Sequence, residues 1–230
     1  PYPTDGPINI VAGDGYDDWS DAVARVCSVS LNLEPLPPSP SSLKEAFAGP
    51  DEEKWRESIH KELHNLGEAR TFEEAEPSGR GMKMKWVLKA SYDNEFKVKY
   101  KARLVCCGYS QVFGLDYKET YSPTPSVLAQ NLAMHIAAHR KLTIKIFDVK
   151  GAFLEADNDY ENYAWLPEGT FEKPMRVKLL KAQYGEKQAP KLWNDLLNKI
   201  MGIMNFKRCP VAPCLYLREV GDEYTLCSVH

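Results

Sequence analysis

The feature that most constrains this chain is a pair of runs, residues 84–90 and 96–105, in which side-chain character alternates every second residue. A period of two is the period of a β-strand, where successive side chains point to opposite faces. The Asp93-Asn94 pair between the runs is turn chemistry, so together they predict an antiparallel hairpin. Lys97, Lys99, Lys101 and Arg103 alternate with Val98, Tyr100, Ala102 and Leu104, which puts the four cations on one strand face. From Gly81 to Arg103 there are seven cations (Lys83, Lys85, Lys89 and those four) against Asp93 and Glu95. Like charges gathered on one face repel, and a polyanion partner is one reason to keep them there. A solvated face with charged edge protection is the other reading of the same pattern.

The overall charge of −3 conceals this basic region. Residues 1–80 hold 16 acidic and 7 basic side chains, whereas residues 81–230 hold 16 acidic and 22 basic ones. The net charge alone argues against a nucleic-acid ligand, and its distribution argues for one. No apolar run approaches the roughly 18 residues a membrane helix needs, so no membrane partner is expected. The N-terminal residues lack the basic and apolar regions of a signal peptide. The six cysteines form no C-x-x-C pair, and Cys209 and Cys214 have no histidine-rich neighbourhood, which favours a reduced, intracellular protein over a zinc site or a disulfide framework.

Residues 1–42 read as a Pro-rich acidic linker, expected to be disordered, with the folded part over 43–230. Asp51 is a candidate cap for a helix carrying Trp55, Ile59, Leu63 and Leu66 at helical spacing. Ser126 is placed to cap a helix running to about His139. Residues 143–149 are β-branched and predict a strand. Residues 163–166 and 177–179 are further short strand candidates. Pro190 opens a helix with Leu192, Leu196 and Ile200. Two runs around Gly221-Asp222 predict a closing hairpin. Helices and hairpins in this order imply an α+β fold, an antiparallel sheet with packed helices.

Two loops carry candidate chemistry. Asp148 stands at the end of the apolar run KIFDVKGAFL, followed by the small residues Gly151 and Ala152. A carboxylate at a strand end can hold Mg²⁺, which takes one or two carboxylates together with phosphate oxygens, and it can equally be an ordinary turn residue. In QYGEKQAPKLW (183–193), Gly185, Lys187 and the Pro190 helix start fit an anion site or a plain entry into a helix.

Seven segments, in order and correctly spaced over roughly residues 43–230, resemble the reverse transcriptases of copia-type retrotransposons. YKARLVCCGYSQVFGLDYKETYSP (100–123) is similar to the family's YKARLVAKGFTQ-x-x-G-x-DY-x-ET-x-SP. KWVLKASYDNEFKVKYKARLV resembles the hairpin before it, and FDVKGAFLEA the first metal-binding motif, DVKTAFLNG. LPEGTF, LLKAQYGEKQAPKLW, FKRCPVAPCLYL and EEKWRESIHKEL resemble four more family segments. Collinear matches of this kind are far more specific than a lone motif.

The resemblance implies the fingers and part of the palm of a right-hand polymerase within a Gag-Pol polyprotein, working on an RNA template, a DNA primer and deoxynucleoside triphosphates with Mg²⁺. The setting it implies is a cytoplasmic particle or the nucleus. Arg103 would contact the triphosphate, with Lys85 or Lys101 assisting. Lys83, Lys97 and Lys99 would bind the nucleic acid backbone. Asp148 and the Val149 carbonyl would hold metal, and Phe153 would lie under the sugar as a steric gate. Tyr184, Gly185, Lys187 and Gln188 would line the nucleotide or template pocket.

The family completes its metal site with the tandem Asp pair of a Tyr-x-Asp-Asp turn, and by alignment His230 falls near that Tyr. The expectation is therefore an RNA-directed DNA polymerase segment that stops before the pair. The alternatives are an inactive remnant that at most binds nucleic acid, and a fragment that does not fold stably. Departures from the family pattern include Cys107 for Lys, Asn131 for Arg, Gly151 for Thr, Glu155 for Asn, Ala156 for Gly and Glu186 for Leu. Cys107 and Glu186 are expected to lower positive charge where a triphosphate would sit.

Overall fold

The computed structural model describes residues 35–93, 95–221 and 223–229. Its elements are α1 (Leu43–Ala48), α2 (Glu52–Glu68), β1 (Phe72–Ala75), β2 (Met82–Tyr92), β3 (Val98–Cys106), α3 (Val127–His139), α4 (Ala152–Glu155), β4 (Tyr163–Trp165), β5 (Arg176–Leu179), α5 (Ala189–Ile203), β6 (Lys207–Arg208), β7 (Leu215–Val220) and β8 (Glu223–Ser228). They form a mixed α/β fold with a five-stranded sheet of order β1-β5-β4-β2-β3 and a three-stranded antiparallel sheet β6-β7-β8. The larger sheet is antiparallel except where β2 runs parallel to β4. Among the described residues no helix is long and apolar enough to cross a membrane.

The β2–β3 hairpin follows from its alternation. Met82, Met84, Trp86, Leu88 and Ala90 of β2 are buried, as are Ala102, Leu104 and Cys106 of β3. The register sets Trp86 opposite Leu104 and Leu88 opposite Ala102, so the two apolar rows share one face. Full burial of a large apolar side chain contributes about 1.5–3 kcal/mol, enough to hold this register against a one-residue slip. At the turn, the Asp93 carboxylate accepts the amides of Glu95 and Lys97, both at 2.9 Å.

Helix α2 covers the inner face with Trp55, Ile59 and Leu66, and the Trp55 ring meets Tyr100 edge-on at 4.8 Å. Asp51 caps it without a side-chain bond to its amides and pairs with Lys54 at 2.8 Å instead. Strand β3 is the sheet edge, and the Glu62 carboxyl of α2 lies beside it.

The ordered framework reaches back into the Pro-rich stretch: Leu36 packs on the core and Pro40 is buried. Residues 1–34 of the expected linker lie outside the described residues, as do Asn94 and Asp222 of the two turns.

The expected strand over residues 143–149 does not form. The segment joins no ladder, and Ile144, Ile146, Phe147 and Val149 are exposed. β-Branched composition fits a pleated surface, but a strand exists only where a neighbour supplies hydrogen bonds. Helix α3 forms as expected, with Ser126 accepting the Ala129 amide at 3.1 Å, yet of its residues only Ala129 is buried.

Candidate functional site

Because paired residues of an antiparallel hairpin point the same way, the outer face of β2–β3 gathers cations from both strands. Lys83, Lys85 and Lys89 of β2 share it with Lys99, Lys101 and Arg103 of β3, and Lys89 stands directly opposite Lys101. Lys83, Lys85 and Lys99 are exposed and carry no ion pair among the described residues. Lys97 lies just before β3 and pairs with Glu95 at 2.7 Å, so it belongs to the turn rather than to the row.

At the end of this face three separate segments meet. The Arg103 guanidinium lies 5.6 Å from the centroid of the Tyr184 ring. On its other contact, Tyr184 packs against Phe153 with centroids 5.3 Å apart and a 58° tilt. Glu62 also lies close enough for the Arg103 charge to draw its carboxyl down, although burial pushes that carboxyl up by more. Lys85 faces the same side one pair along, opposite Val105.

Glycine makes the meeting possible. The loop carrying Tyr184 crosses the end of β3, where the Cys106 amide donates to the Tyr184 carbonyl at 2.7 Å. Gly185 has φ +87°, and a Cβ there would stand 2.1 Å from the Cys106 carbonyl oxygen. A Cβ on Gly108 would meet the Gly185 oxygen at 2.1 Å. Two backbones in direct contact leave no room for any side chain at either position.

Phe153 is placed by the turn after Asp148. Gly151 takes φ +63° as the residue before α4, Leu154 enters the main core, and Phe153 packs with Ala156, Ala182, Ala189 and Leu192 in a second cluster. Asp148 itself is exposed on the unpaired segment, with no hydrogen bond or ion pair among the described residues, and Val149 is half exposed. Two divalent ions ~4 Å apart need several carboxylates around them. Among the described residues no group of three or more His, Cys, Asp or Glu side chains is placed to hold a metal. Asp157 is engaged with Lys181 at 2.7 Å. Asp148 and the Val149 carbonyl by themselves therefore do not fit a two-metal centre.

The QYGEKQ loop differs from expectation in two residues. Gln188 is fully buried, donating to Glu186 at 3.0 Å and accepting from Gln111 at 2.8 Å, so its amide supports the loop from inside. Glu186 does not face a phosphate pocket. It is buried, and its carboxylate accepts the Asn158, Asn162 and Gln188 side-chain amides and the Gln183 backbone amide at 2.8–3.2 Å. Burial pushes its carboxyl above the ordinary range, while these four donors pull it back. Lys187 is turned outward, with its Nζ 4.8 Å over the Tyr117 ring. The amide cage around Glu186 carries no local sequence signal, since its donors come from residues 158, 162, 183 and 188.

The cation-bearing hairpin thus ends where an aromatic pair and a glycine-dependent loop meet it. The chain belongs to the reverse transcriptase (RNA-dependent DNA polymerase) family, of copia type, which matches residues 74–230. It is 35% identical over 191 residues to the retrovirus-related Pol polyprotein from transposon TNT 1-94 of Nicotiana tabacum, covering 80% of this chain and 14% of that protein. It is 32% identical over 210 residues to the Pol polyprotein from transposon RE1 of Arabidopsis thaliana, covering 88% of this chain and 14% of the relative. The chain thus spans about a seventh of the length of these relatives.

Proposed function

We propose that this chain supplies the fingers and part of the palm of an RNA-directed DNA polymerase, as a segment of a retrotransposon Pol polyprotein. The observation that carries the reading is the convergence of Arg103, Tyr184 and Phe153 at the end of the cationic face. In this reading Arg103, assisted by Lys85 and Lys101, binds the triphosphate of an incoming deoxynucleotide. Phe153 lies under the sugar, and Tyr184 with the bare backbone of Gly185 walls the pocket. Lys83, Lys99 and the outward Lys187 take phosphates of the template and primer, with Lys97 at the turn. Gln188 acts from the interior, holding the loop.

The test is binding of an RNA–DNA primer–template and of a fluorescent deoxynucleotide by the 230-residue chain. Each phosphate contact contributes about 0.9 to the slope of log affinity against log salt for duplex DNA. A steep slope is expected, reduced by about that amount in Lys83→Ala. Arg103→Ala should weaken the nucleotide about tenfold or more, as expected for loss of a charge-assisted bond of roughly 1.5–3 kcal/mol. Binding that ignores salt and survives both changes would refute the reading.

A further inference from the structure

The loop of residues 107–121 leaves β3 beside the cationic face, and the reading above gives it no work. It holds Tyr109, Val112, Phe113, Leu115 and Tyr121 exposed, Tyr109 at 80% and Phe113 at 70%. Contiguous exposed apolar side chains of this kind mark interaction surfaces. Their backbone is nonetheless fixed from below. Asp116 is buried and takes the Arg80 guanidinium on both carboxylate oxygens, while also accepting the Val112 amide at 2.7 Å. The Asn162 side chain donates to the Asp116 carbonyl at 3.1 Å, and the Gly114 amide to the Tyr117 carbonyl at 2.8 Å. Buried Gln111 accepts the Lys187 amide at 2.7 Å. Phe113 and Tyr117 meet edge to face at 5.8 Å. The rings are therefore held outward on a frame.

The charge around the loop selects the partner. Its two acids are both answered, Asp116 by Arg80 and Glu119 by Lys191 at 3.5 Å. Lys187 lies over Tyr117, Lys118 is exposed, and the Cys107 amide donates to the Lys83 carbonyl at 2.8 Å, which joins the loop to the first lysine of the cationic row. Aromatic rings interleaved with cations, continuous with a phosphate-binding face, fit single-stranded nucleic acid, because every base offers a π-face. We propose that residues 107–121 form a stacking platform for unpaired bases of the strand whose phosphates follow the β2–β3 face, with Phe113 and Tyr109 as the stacking rings. This rests on the nucleic-acid reading above.

The experiment titrates the full 230-residue chain with a single-stranded RNA oligonucleotide carrying 2-aminopurine, whose fluorescence is quenched by stacking, across a salt series. The parent chain, Phe113→Ala, Tyr109→Ala, Phe113→Trp and Lys83→Ala are compared. Phe113→Ala is expected to weaken binding by about tenfold and to diminish the fluorescence change, as loss of one stacked base does. Its salt slope should stay that of the parent, since no phosphate contact is lost. Phe113→Trp should restore affinity. Lys83→Ala should do the reverse, lowering the slope by about 0.7, the single-strand value per phosphate. If the parent binds with a salt slope that Lys83→Ala reduces, but both alanine variants bind as the parent does, the platform is wrong and the cationic face stands. A parent chain without salt-dependent binding overturns both. Phe113 and Tyr109 are exposed, so matched unfolding curves separate loss of stacking from loss of fold.

Discussion

At position 186 an acid stands where the family carries leucine, and beside a triphosphate that exchange would repel the ligand. The structure turns the carboxylate inward onto four donors, three of them buried, so its consequences are for stability of the loop rather than for charge in the pocket. Leaving a buried donor unsatisfied costs about 1–3 kcal/mol. Glu186→Leu should therefore destabilise the chain by at least ~3 kcal/mol in urea unfolding, even though it restores the family residue, and Glu186→Gln should cost less. Titration adds a second signature. The native carboxyl sits above its ordinary value of 4.5, so the folded chain holds this proton more tightly than the unfolded one. Glu186 then contributes most below that value, and the contribution is lost as pH rises through the native pKa. The stability gap between the native chain and Glu186→Gln should shrink as pH rises from about 4.5. A gap that widens over that range would contradict the burial argument.

Among the elements, β2 and β3 were legible because a period of two, a turn signal and a buried face all agree. The helices over residues 52–68 and 189–203 were legible for the same reason at helical period. Residues 143–149 were misleading because composition reports what a segment can do, while a strand needs a partner that local sequence does not name. The convergence of Arg103, Phe153 and Tyr184 came through family resemblance, since residues 50 and 81 positions from Arg103 leave no periodic trace. The Gly108–Gly185 contact and the direction of Glu186 were invisible for a related reason: each depends on backbones far apart in sequence. Hydrogen exchange separates the two kinds of apolar run. Amides in the β2–β3 ladder should exchange only on global opening, whereas those of residues 143–149, exposed and outside any ladder, should exchange within seconds to minutes. Comparable protection in both would show that residues 143–149 do have a pairing partner.

Across the whole molecule, burial is uneven. The five-stranded sheet and α2 enclose a continuous core, while α3 and the segment after it turn apolar side chains outward. Leu128 and Leu132 are one helical turn apart on α3, exposed at 79% and 55%, and Phe147 is exposed at 83%. Monomeric proteins rarely leave apolar patches larger than a few hundred Å² uncovered, because water makes their association favourable by roughly 25 cal/mol for each Å² removed. Just past the end of helix α3, Arg140 meets Tyr224 of the small sheet, 4.2 Å from guanidinium to ring centroid, and of the helix's own residues Ala129 alone is buried among the described residues. The 230-residue chain on its own should then self-associate as concentration rises, detected as an increasing weight-average mass by light scattering. Because the driving force is apolar, added salt should not dissolve the assemblies, in contrast to complexes held by the cationic hairpin. Replacing Leu128 and Leu132 together by lysine should return the mass toward that of one chain without lowering the unfolding midpoint, since both side chains are mostly exposed. If the mass stays constant in the parent chain, or the double variant still associates, α3 is not the surface responsible.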